Sequence, residues 1–341
     1  MPMMNMQSSI NNSEFKRKSE AQRRILVILF CLVAIISAGT RDINNLPEGN
    51  DTAVYHDTYN ELSRTSWHTL INNFSLFSTQ YEGRDSGYPI FVKVTQLICD
   101  DFTFFMFLVA TMFMTQFGML VYKYVKSFFG IILSFLIFFA LFDVVILSFM
   151  RQAITMSIVF YALRYIVVRD WKRYFGIMLI ALSLHTSALV AIPYYFLPNL
   201  SKTKKWIFIT IAMSPFLLYF SKLLVSSFLA GTLYEQFVSG EIVSPINYIV
   251  FVAFISGLAY LYFEKIKSIK DYELLISAAI GSILILPIVF WGNSLLRISY
   301  YYVIILIPLL PCVIDIVKIR LANRHIIYYV FISFFLLYIL K

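Results

Sequence analysis

Long apolar runs separated by short polar segments make up most of this chain. A helix needs roughly 17 to 25 such residues to cross about 30 Å of hydrocarbon, and most of the runs reach that length. The runs are residues 24–39, 102–122, 127–148, 152–168, 174–197, 205–225, 247–264, 272–291, 297–317 and 326–340. The pattern predicts an all-α, polytopic integral membrane protein with about 9 to 11 transmembrane helices.

Composition supports this interpretation and excludes a soluble enzyme. The 341 residues are 60% hydrophobic and 14% charged, whereas soluble domains are about half apolar and about a quarter charged. The three cysteines stand far apart, which favours neither a disulfide framework nor a metal site. No internal repeat or separate soluble domain is visible, so residues 1–341 form one membrane domain.

Basic residues predict the orientation, because loops rich in Lys and Arg stay in the cytoplasm. The clusters between the runs, with the N-terminal one, hold 19 of the 28 basic residues. Residues 1–23 are therefore a basic cytoplasmic N-terminus, and residues 40–101 are an outer loop region with nine acids against four bases. Residues 102–340 form the helical bundle.

The run 174–197 lies between two basic clusters, so both of its ends belong on the cytoplasmic side. Either it forms a re-entrant hairpin, or an extra crossing occurs within residues 226–246. We favour a hairpin with its tip near His185, because irregular backbone at membrane depth is tolerated where it lines a water-filled cavity.

The outer loop after the first helix is long and polar over residues 40–87, and loops of that length are functional or disordered. Tyr55 and Tyr59 are four residues apart and would share one helix face, and Asp51 would begin that helix as its cap. Aromatic and Arg residues interleaved with carboxylates favour a sugar-phosphate site over a merely solvated acidic surface.

A few ionisable residues remain in the apolar runs after the loops are assigned, and three of them, Arg151, His185 and Arg297, lie where a site would form. Arg164, Lys222 and Asp315 lie near the ends of the runs, and Asp143 precedes Arg151 by two helical turns. Charges at membrane depth are costly, so each of the first three is a candidate functional residue. The alternatives are arginines that extend to the interface and a hydrogen-bonded core histidine. Arg grips phosphate through its planar fork and stays charged, so the group predicts an anionic ligand.

Motifs for nucleotide hydrolysis, zinc chemistry and serine hydrolysis are absent from the sequence. We therefore expect no metal and no cofactor. Nucleic acid is not expected as a partner either, since the positions of the basic clusters are explained by membrane orientation.

The chain resembles the EpsG family of Wzy-like polymerases. The residues that carry the resemblance are Arg41-Asp42, Asp51, Tyr55, Tyr59, Gly87-Tyr88, Met150-Arg151-Gln152, His185-Thr186-Ser187-Ala188, Arg297, Tyr300 and Tyr301. The Met-Arg-Gln followed by His among small residues is the most specific part. The stretch Glu82-Gly83-Arg84-Asp85-Ser86 departs from the Glu-Pro-Gly that such proteins often have.

The resemblance implies a glycosyltransferase of the bacterial inner membrane that polymerises O-antigen or exopolysaccharide repeat units at the periplasmic face. Donor and acceptor are glycans on undecaprenyl diphosphate, surrounded by membrane lipids, with a chain-length regulator and a flippase as further partners. The implied catalytic residues are His185, Asp51 and Arg151, with His185 or Asp51 as the general base. The implied substrate-binding residues are Arg41, Asp42, Tyr55, Tyr59, Gln152, Arg297, Tyr300 and Tyr301.

Two other functions fit the same residues. A flippase or secondary transporter of the lipid-linked sugar would use the arginines as a substrate site, although transporters often consist of two related halves, and no such symmetry is visible. A lipid-linked-sugar ligase or acyltransferase is the other alternative.

Overall fold

The structure is a computed structural model that describes residues 2–43, 51–74, 85–229, 246–290, 293–317 and 321–339. Those residues form helices and connecting turns and contain no strand, so the predicted all-α class is confirmed. The first helices are α1 (Pro2–Gly39), α2 (Thr52–Arg64), α3 (Trp67–Asn72), α4 (Gly87–Ile98), α5 (Phe102–Tyr124), α6 (Phe128–Leu141), α7 (Val144–Leu147), α8 (Met150–Val167) and α9 (Trp171–Leu184). A 3₁₀ helix (Thr186–Tyr195) follows, and then α10 (Leu197–Leu200), α11 (Lys205–Leu229), α12 (Ile246–Leu261), α13 (Phe263–Ile266), α14 (Tyr272–Val289), α15 (Asn293–Leu306), α16 (Leu309–Ile316) and α17 (Leu321–Ile339).

Among the residues that the structure describes, each of the ten predicted apolar runs lies mostly in helices. Within the described residues, four helical segments are long and apolar enough to cross a membrane: Arg17–Gly39, Phe102–Tyr124, Tyr272–Val289 and Leu295–Ile316. Shorter apolar helices accompany them, namely Phe128–Leu141, Lys205–Ser221, Ile246–Leu261 and Asn323–Ile339. The chain is thus a helical protein with several membrane-spanning segments.

Aspartate side chains cap the N-termini of two of these helices, α5 and α9. The Asp101 carboxylate accepts a hydrogen bond of 2.8 Å from the Phe104 backbone N–H and caps α5, as expected from its position. Asp170 caps α9 in the same way through the backbone N–H of Arg173. Each cap satisfies an N–H group that has no partner within its own helix.

Basic residues meet at one end of the bundle. Lys123 pairs with Asp271 at 2.6 Å, and this contact joins the end of α5 to the start of α14. The Arg23 guanidinium donates to the carbonyls of Tyr122 and Val125 at 2.9 and 2.8 Å. We call this the basic end. Basic residues from several of the clusters that the orientation rule places in the cytoplasm lie at this end. Lys318 and Arg320, which belong to a further cluster, lie outside the described residues.

The segment 171–195 is a hairpin. The Tyr174 hydroxyl in α9 donates to the Ala191 carbonyl at 2.7 Å, so the 3₁₀ helix returns beside α9. The Tyr195 hydroxyl donates to the Arg169 carbonyl at 3.0 Å, which closes the hairpin at the basic end. His185 has extended backbone, with φ −161° and ψ 122°, at the turn. The predicted hairpin with its tip at His185 is therefore present in the fold.

The alternative of an extra crossing is not needed to keep the basic clusters together. The Lys204 ammonium lies 5.8 Å from the centroid of the Tyr260 ring, so α11 begins where α12 ends and the two helices run antiparallel. Residues 230–245 lie outside the described residues.

The described parts of residues 40–101 are mostly helical, with residues 44–50 and 75–84 outside the described residues. Helices α2 and α4 pack on the start of α5, where Tyr59 and Tyr88 contact Phe105 with ring centroids 5.6 and 6.4 Å apart. The Lys93 ammonium donates to the carbonyls of Leu62 and Ser63, each at 2.8 Å, and so binds α4 to the C-terminus of α2. We call this the α2–α4 end.

Two glycines allow a matched test of packing between the last long helices. A Cβ atom on Gly281 would lie 2.2 Å from the buried ring of Tyr302, whereas one on Gly257 would meet nothing within 4 Å. We predict that Gly281→Ala lowers the free energy of unfolding by about 1–3 kcal/mol through overpacking. Gly257→Ala should leave it unchanged or raise it by roughly 0.5–1 kcal/mol, because Ala favours helices. Thermal unfolding in detergent measures both, and equal stabilities of the two variants would contradict the packing described.

Candidate functional site

A single carboxylate, that of Asp85, joins three parts of the fold at the α2–α4 end. Its Oδ2 atom lies 2.8 Å from Nδ1 of His185 and 3.2 Å from Nη1 of Arg151. Its Oδ1 atom accepts hydrogen bonds from the backbone N–H and the hydroxyl of Thr186, both at 2.8 Å. The start of α4, the start of α8 and the hairpin tip therefore meet at one acid.

This carboxylate is almost removed from solvent, with 1% of its side chain exposed. Burial by itself raises the pKa of Asp85, but the hydrogen bond from His185, the charge of Arg151 and the hydrogen bond from the Thr186 N–H together lower it well below its usual range. Groups that bind the charged form favour ionisation. The Asp85 side chain is thus a buried anion, held by the groups around it.

Local backbone geometry brings Asp85 to the hairpin. Its φ of 53° is in the left-handed region, which Asp tolerates better than most residues. Two residues later, a Cβ atom on Gly87 would lie 2.8 Å from the Ser183 carbonyl oxygen. Because only glycine permits this approach, α4 can begin directly against the last turn of α9.

A second ion pair lies beside the first. Arg297 in α15 donates to the Asp51 carboxylate at 2.9 Å, and its guanidinium stacks 3.6 Å from the centroid of the Phe149 ring. Asp51 occupies the N-cap position of α2, as predicted, but its side chain makes no cap hydrogen bond. The expected cap is replaced by the ion pair with Arg297, while the Asp51 backbone N–H donates to the Ser148 hydroxyl at 3.0 Å.

Gln152 connects the two pairs. Its side-chain amide donates to the Arg297 backbone carbonyl, and it follows Arg151 in the first turn of α8. Phe149 at the N-cap of α8 offers no side-chain hydrogen bond. The positive end of this helix therefore lies between the two arginines and favours a negative ligand.

Aromatic rings flank Arg151. The centroids of the Tyr55 and Tyr88 rings both lie 5.6 Å from its guanidinium carbon. The two rings contact each other edge to face, with centroids 6.0 Å apart. Tyr55, a predicted site residue, thus packs directly against the Arg151 guanidinium.

Arg41 has a different environment from the other two arginines. Its Nη1 atom donates to the Ala38 and Ile146 carbonyls, and its Nη2 atom donates to the Thr52 hydroxyl at 3.2 Å. The break between α7 and α8 frees carbonyl groups, and buried carbonyls need donors. Arg41 supplies such a donor to the Ile146 carbonyl and so stabilises the chain at this break. The next residue, Asp42, is exposed.

Three predicted tyrosines lie in the packed interior and not at the surface of the site. The Tyr59 hydroxyl donates to the Cys99 carbonyl at 3.3 Å, and the Tyr301 hydroxyl is 2.9 Å from that of Ser187. Tyr300 packs edge to face against Phe142 with centroids 5.3 Å apart. All three are at most 4% exposed, so in this structure they support the site and do not reach a ligand.

The charged groups of the site are partly accessible. The exposed fraction of the side chain is 28% for Arg151, 34% for Arg297, 37% for Asp51 and 19% for His185. Two guanidinium groups and a helix N-terminus can bind an anionic ligand, and an imidazole beside them can take a proton. Within the described residues no group of three or more His, Cys, Asp or Glu side chains is arranged to hold a metal ion.

Asp85 was not among the residues singled out from the sequence. It belongs to the acidic stretch that departs from the family pattern, and Glu82 of that stretch lies outside the described residues. The available signal was its position two residues before the Gly87-Tyr88 pair, at the boundary between loop and helix.

Comparison with known proteins identifies the family. No curated protein and no solved structure shows significant similarity to the chain. The sequence profile of the EpsG family, however, matches residues 24–341, which include every residue of the two ion pairs. The resemblance noted in the sequence is confirmed over nearly the whole chain. The protein belongs to the EpsG family of Wzy-like polysaccharide polymerases.

Proposed function

We propose that the protein joins oligosaccharide repeat units carried on undecaprenyl diphosphate, at the periplasmic face of the bacterial inner membrane. The observation that supports this most directly is the pair of partly exposed guanidinium groups, Arg151 and Arg297, at the start of α8. A diphosphate is the anion that such a pair can bind through several charge-assisted hydrogen bonds.

The reaction transfers the growing glycan from one lipid carrier to another. A hydroxyl oxygen of the acceptor repeat unit bonds to the anomeric carbon of the donor glycan, and the bond from that carbon to the diphosphate oxygen breaks. The lipid diphosphate leaves with the electron pair, and the acceptor proton passes to a base. The sugar–diphosphate bond supplies the free energy, so the step as proposed uses no nucleotide and no cofactor.

Arg151 and Arg297 would stabilise the negative charge that develops on the leaving diphosphate. Such stabilisation works best from groups that are already held in place, and both arginines are fixed by carboxylates, Asp85 and Asp51. Arg41 would add positive charge nearby while anchoring the α7–α8 break. Tyr55 is buried like the other site tyrosines, and its proposed role is to hold the Arg151 guanidinium in place beside the ligand.

The proposed orientation puts the basic end in the cytoplasm and the α2–α4 end in the periplasm, following the charge rule for membrane proteins. In the bilayer the hairpin 171–195 would then be re-entrant, with His185 facing the periplasmic site. A flippase would deliver the repeat units to this side, and a chain-length regulator would limit the product; both are proposed partners.

Loss of an arginine from the site should stop chain growth. We predict that Arg151→Ala or Arg297→Ala reduces the transfer rate by roughly 10²–10³-fold, the usual effect of removing one charge-stabilising donor. Cells carrying either variant should display glycan with a single repeat on a gel of extracted polysaccharide. Arg164→Ala is the matched control in the same helix, since Arg164 stacks on Tyr161 and donates to its carbonyl in the last turn of α8. A normal ladder from the site variants would overturn the assignment.

The same gel from a strain that lacks the protein separates the three functions. Loss of a polymerase leaves one repeat on the final acceptor, loss of a flippase leaves no glycan outside, and loss of a ligase leaves long polymer unattached. We expect the first result, and either of the other two would contradict the proposal.

Orientation can be tested with single cysteines in a variant that lacks the native Cys31, Cys99 and Cys312. A membrane-impermeant maleimide should label His68→Cys, exposed on α3, in spheroplasts. It should label Ser268→Cys, exposed between α13 and α14, only after the membrane is opened. Labelling in the reverse pattern would place the site in the cytoplasm.

A further inference from the structure

The contact between Asp85 and His185 defines the protonation of the imidazole. An ionised carboxylate can only accept hydrogen bonds, so the 2.8 Å contact requires a proton on Nδ1 of His185. In the neutral imidazole the other nitrogen, Nε2, then carries the lone pair. Within the described residues Nε2 makes no hydrogen bond, and the ring is partly exposed.

The hairpin tip holds the imidazole in this position. Oδ1 of Asp85 is bound twice by Thr186, the next residue, which leaves Oδ2 for His185 and Arg151. One residue further, the Ser187 hydroxyl is 2.9 Å from the hydroxyl of the fully buried Tyr301. Three consecutive residues are thus fixed, and His185 has little freedom to turn away.

We propose that His185 is the general base of the transfer and that Asp85 is the positioning residue that fixes its tautomer and orientation. This inference rests on the proposed function. Nε2 takes the proton of the acceptor sugar hydroxyl as that oxygen bonds to the donor anomeric carbon, and the diphosphate leaves with the electron pair. The Asp85 anion then stabilises the imidazolium that has formed.

The environment of Asp51 argues against it as the base. Its carboxylate binds Arg297 at 2.9 Å, and that cation faces the proposed diphosphate. A carboxylate in this position fixes the arginine and balances its charge. The two carboxylates therefore share one task and differ in another. Asp51 and Asp85 each hold an arginine that binds the leaving group, and Asp85 also holds the base.

A double-mutant cycle tests whether Asp85 acts through His185. The assay uses the full chain in proteoliposomes with a lipid-diphosphate-linked repeat unit and measures kcat and KM for elongation. His185→Ala and Asp85→Asn should each lower kcat by roughly 10²–10⁴-fold, the usual contribution of acid–base catalysis, with little change in KM. The double variant should be slower than His185→Ala only by the part of Asp85 that acts on Arg151, so the two losses should be far from multiplicative, because residues acting as one unit are not additive. Independent, multiplying losses would overturn the positioning role.

The matched controls are Asp57→Asn and His68→Ala, at exposed positions of α2 and α3, and both should elongate at the wild-type rate. Thermal unfolding reports whether Asp85→Asn remains folded. If Asp85→Asn does not fold, chemical rescue of the His185→Ala variant tests the inference instead.

Imidazole added to the His185→Ala protein should restore at least about a tenth of the wild-type rate, since it supplies the missing base. It should not restore Arg151→Ala, which lacks a charge and not a proton acceptor. Absence of rescue, or full activity of His185→Ala, would overturn the inference while wild-type elongation still supports the proposed function. If the wild-type protein itself elongates nothing, the proposed function fails first.

Discussion

The architecture of the site depends on the cost of burying one negative charge. The Asp85 carboxylate is almost inaccessible to water, and an ionised carboxylate in that position is stable only if cations and hydrogen-bond donors surround it. The donors come from α8 and from the hairpin tip, far apart in sequence from Asp85 and from each other. The fold that satisfies this anion also brings the imidazole of His185 beside the guanidinium of Arg151, so the contacts that stabilise Asp85 also assemble the two groups on which the proposed chemistry depends.

Charge is used differently at the two ends of the bundle. At the basic end Lys123 pairs with Asp271, and Arg23 binds carbonyl groups at a helix terminus, which fixes the helices to one another. At the α2–α4 end Arg151 and Arg297 are also paired, but they keep exposed surface beside a helix N-terminus without a side-chain cap. The family assignment makes this accessible surface the candidate binding site, because a polymerase of this family would act on lipid-linked glycans in a membrane.

The hairpin shows how a rule about charge can predict shape. A run between two basic clusters either returns as a hairpin or needs an extra crossing later in the chain. The structure returns it through a 3₁₀ helix of 10 residues. Such helices are rarely longer than about four residues, so this one is unusually long. The irregular backbone at His185 turns the chain at the point where the imidazole meets Asp85.

The sequence by itself determined the helical class, the positions of the apolar segments and the candidates Arg151, His185 and Arg297, and it favoured the hairpin over an extra crossing. Each follows from local properties, such as the length of an apolar run or a charge at membrane depth. Only the tertiary structure decided the partners: Asp85 for His185, Asp51 for Arg297, and interior positions for Tyr59, Tyr300 and Tyr301. Pairing depends on which segments pack together over 66 to 246 residues of sequence. No pattern within one segment contains that information, so an acid beside a glycine in an outer loop could not be distinguished from a solvated one until its neighbours were known.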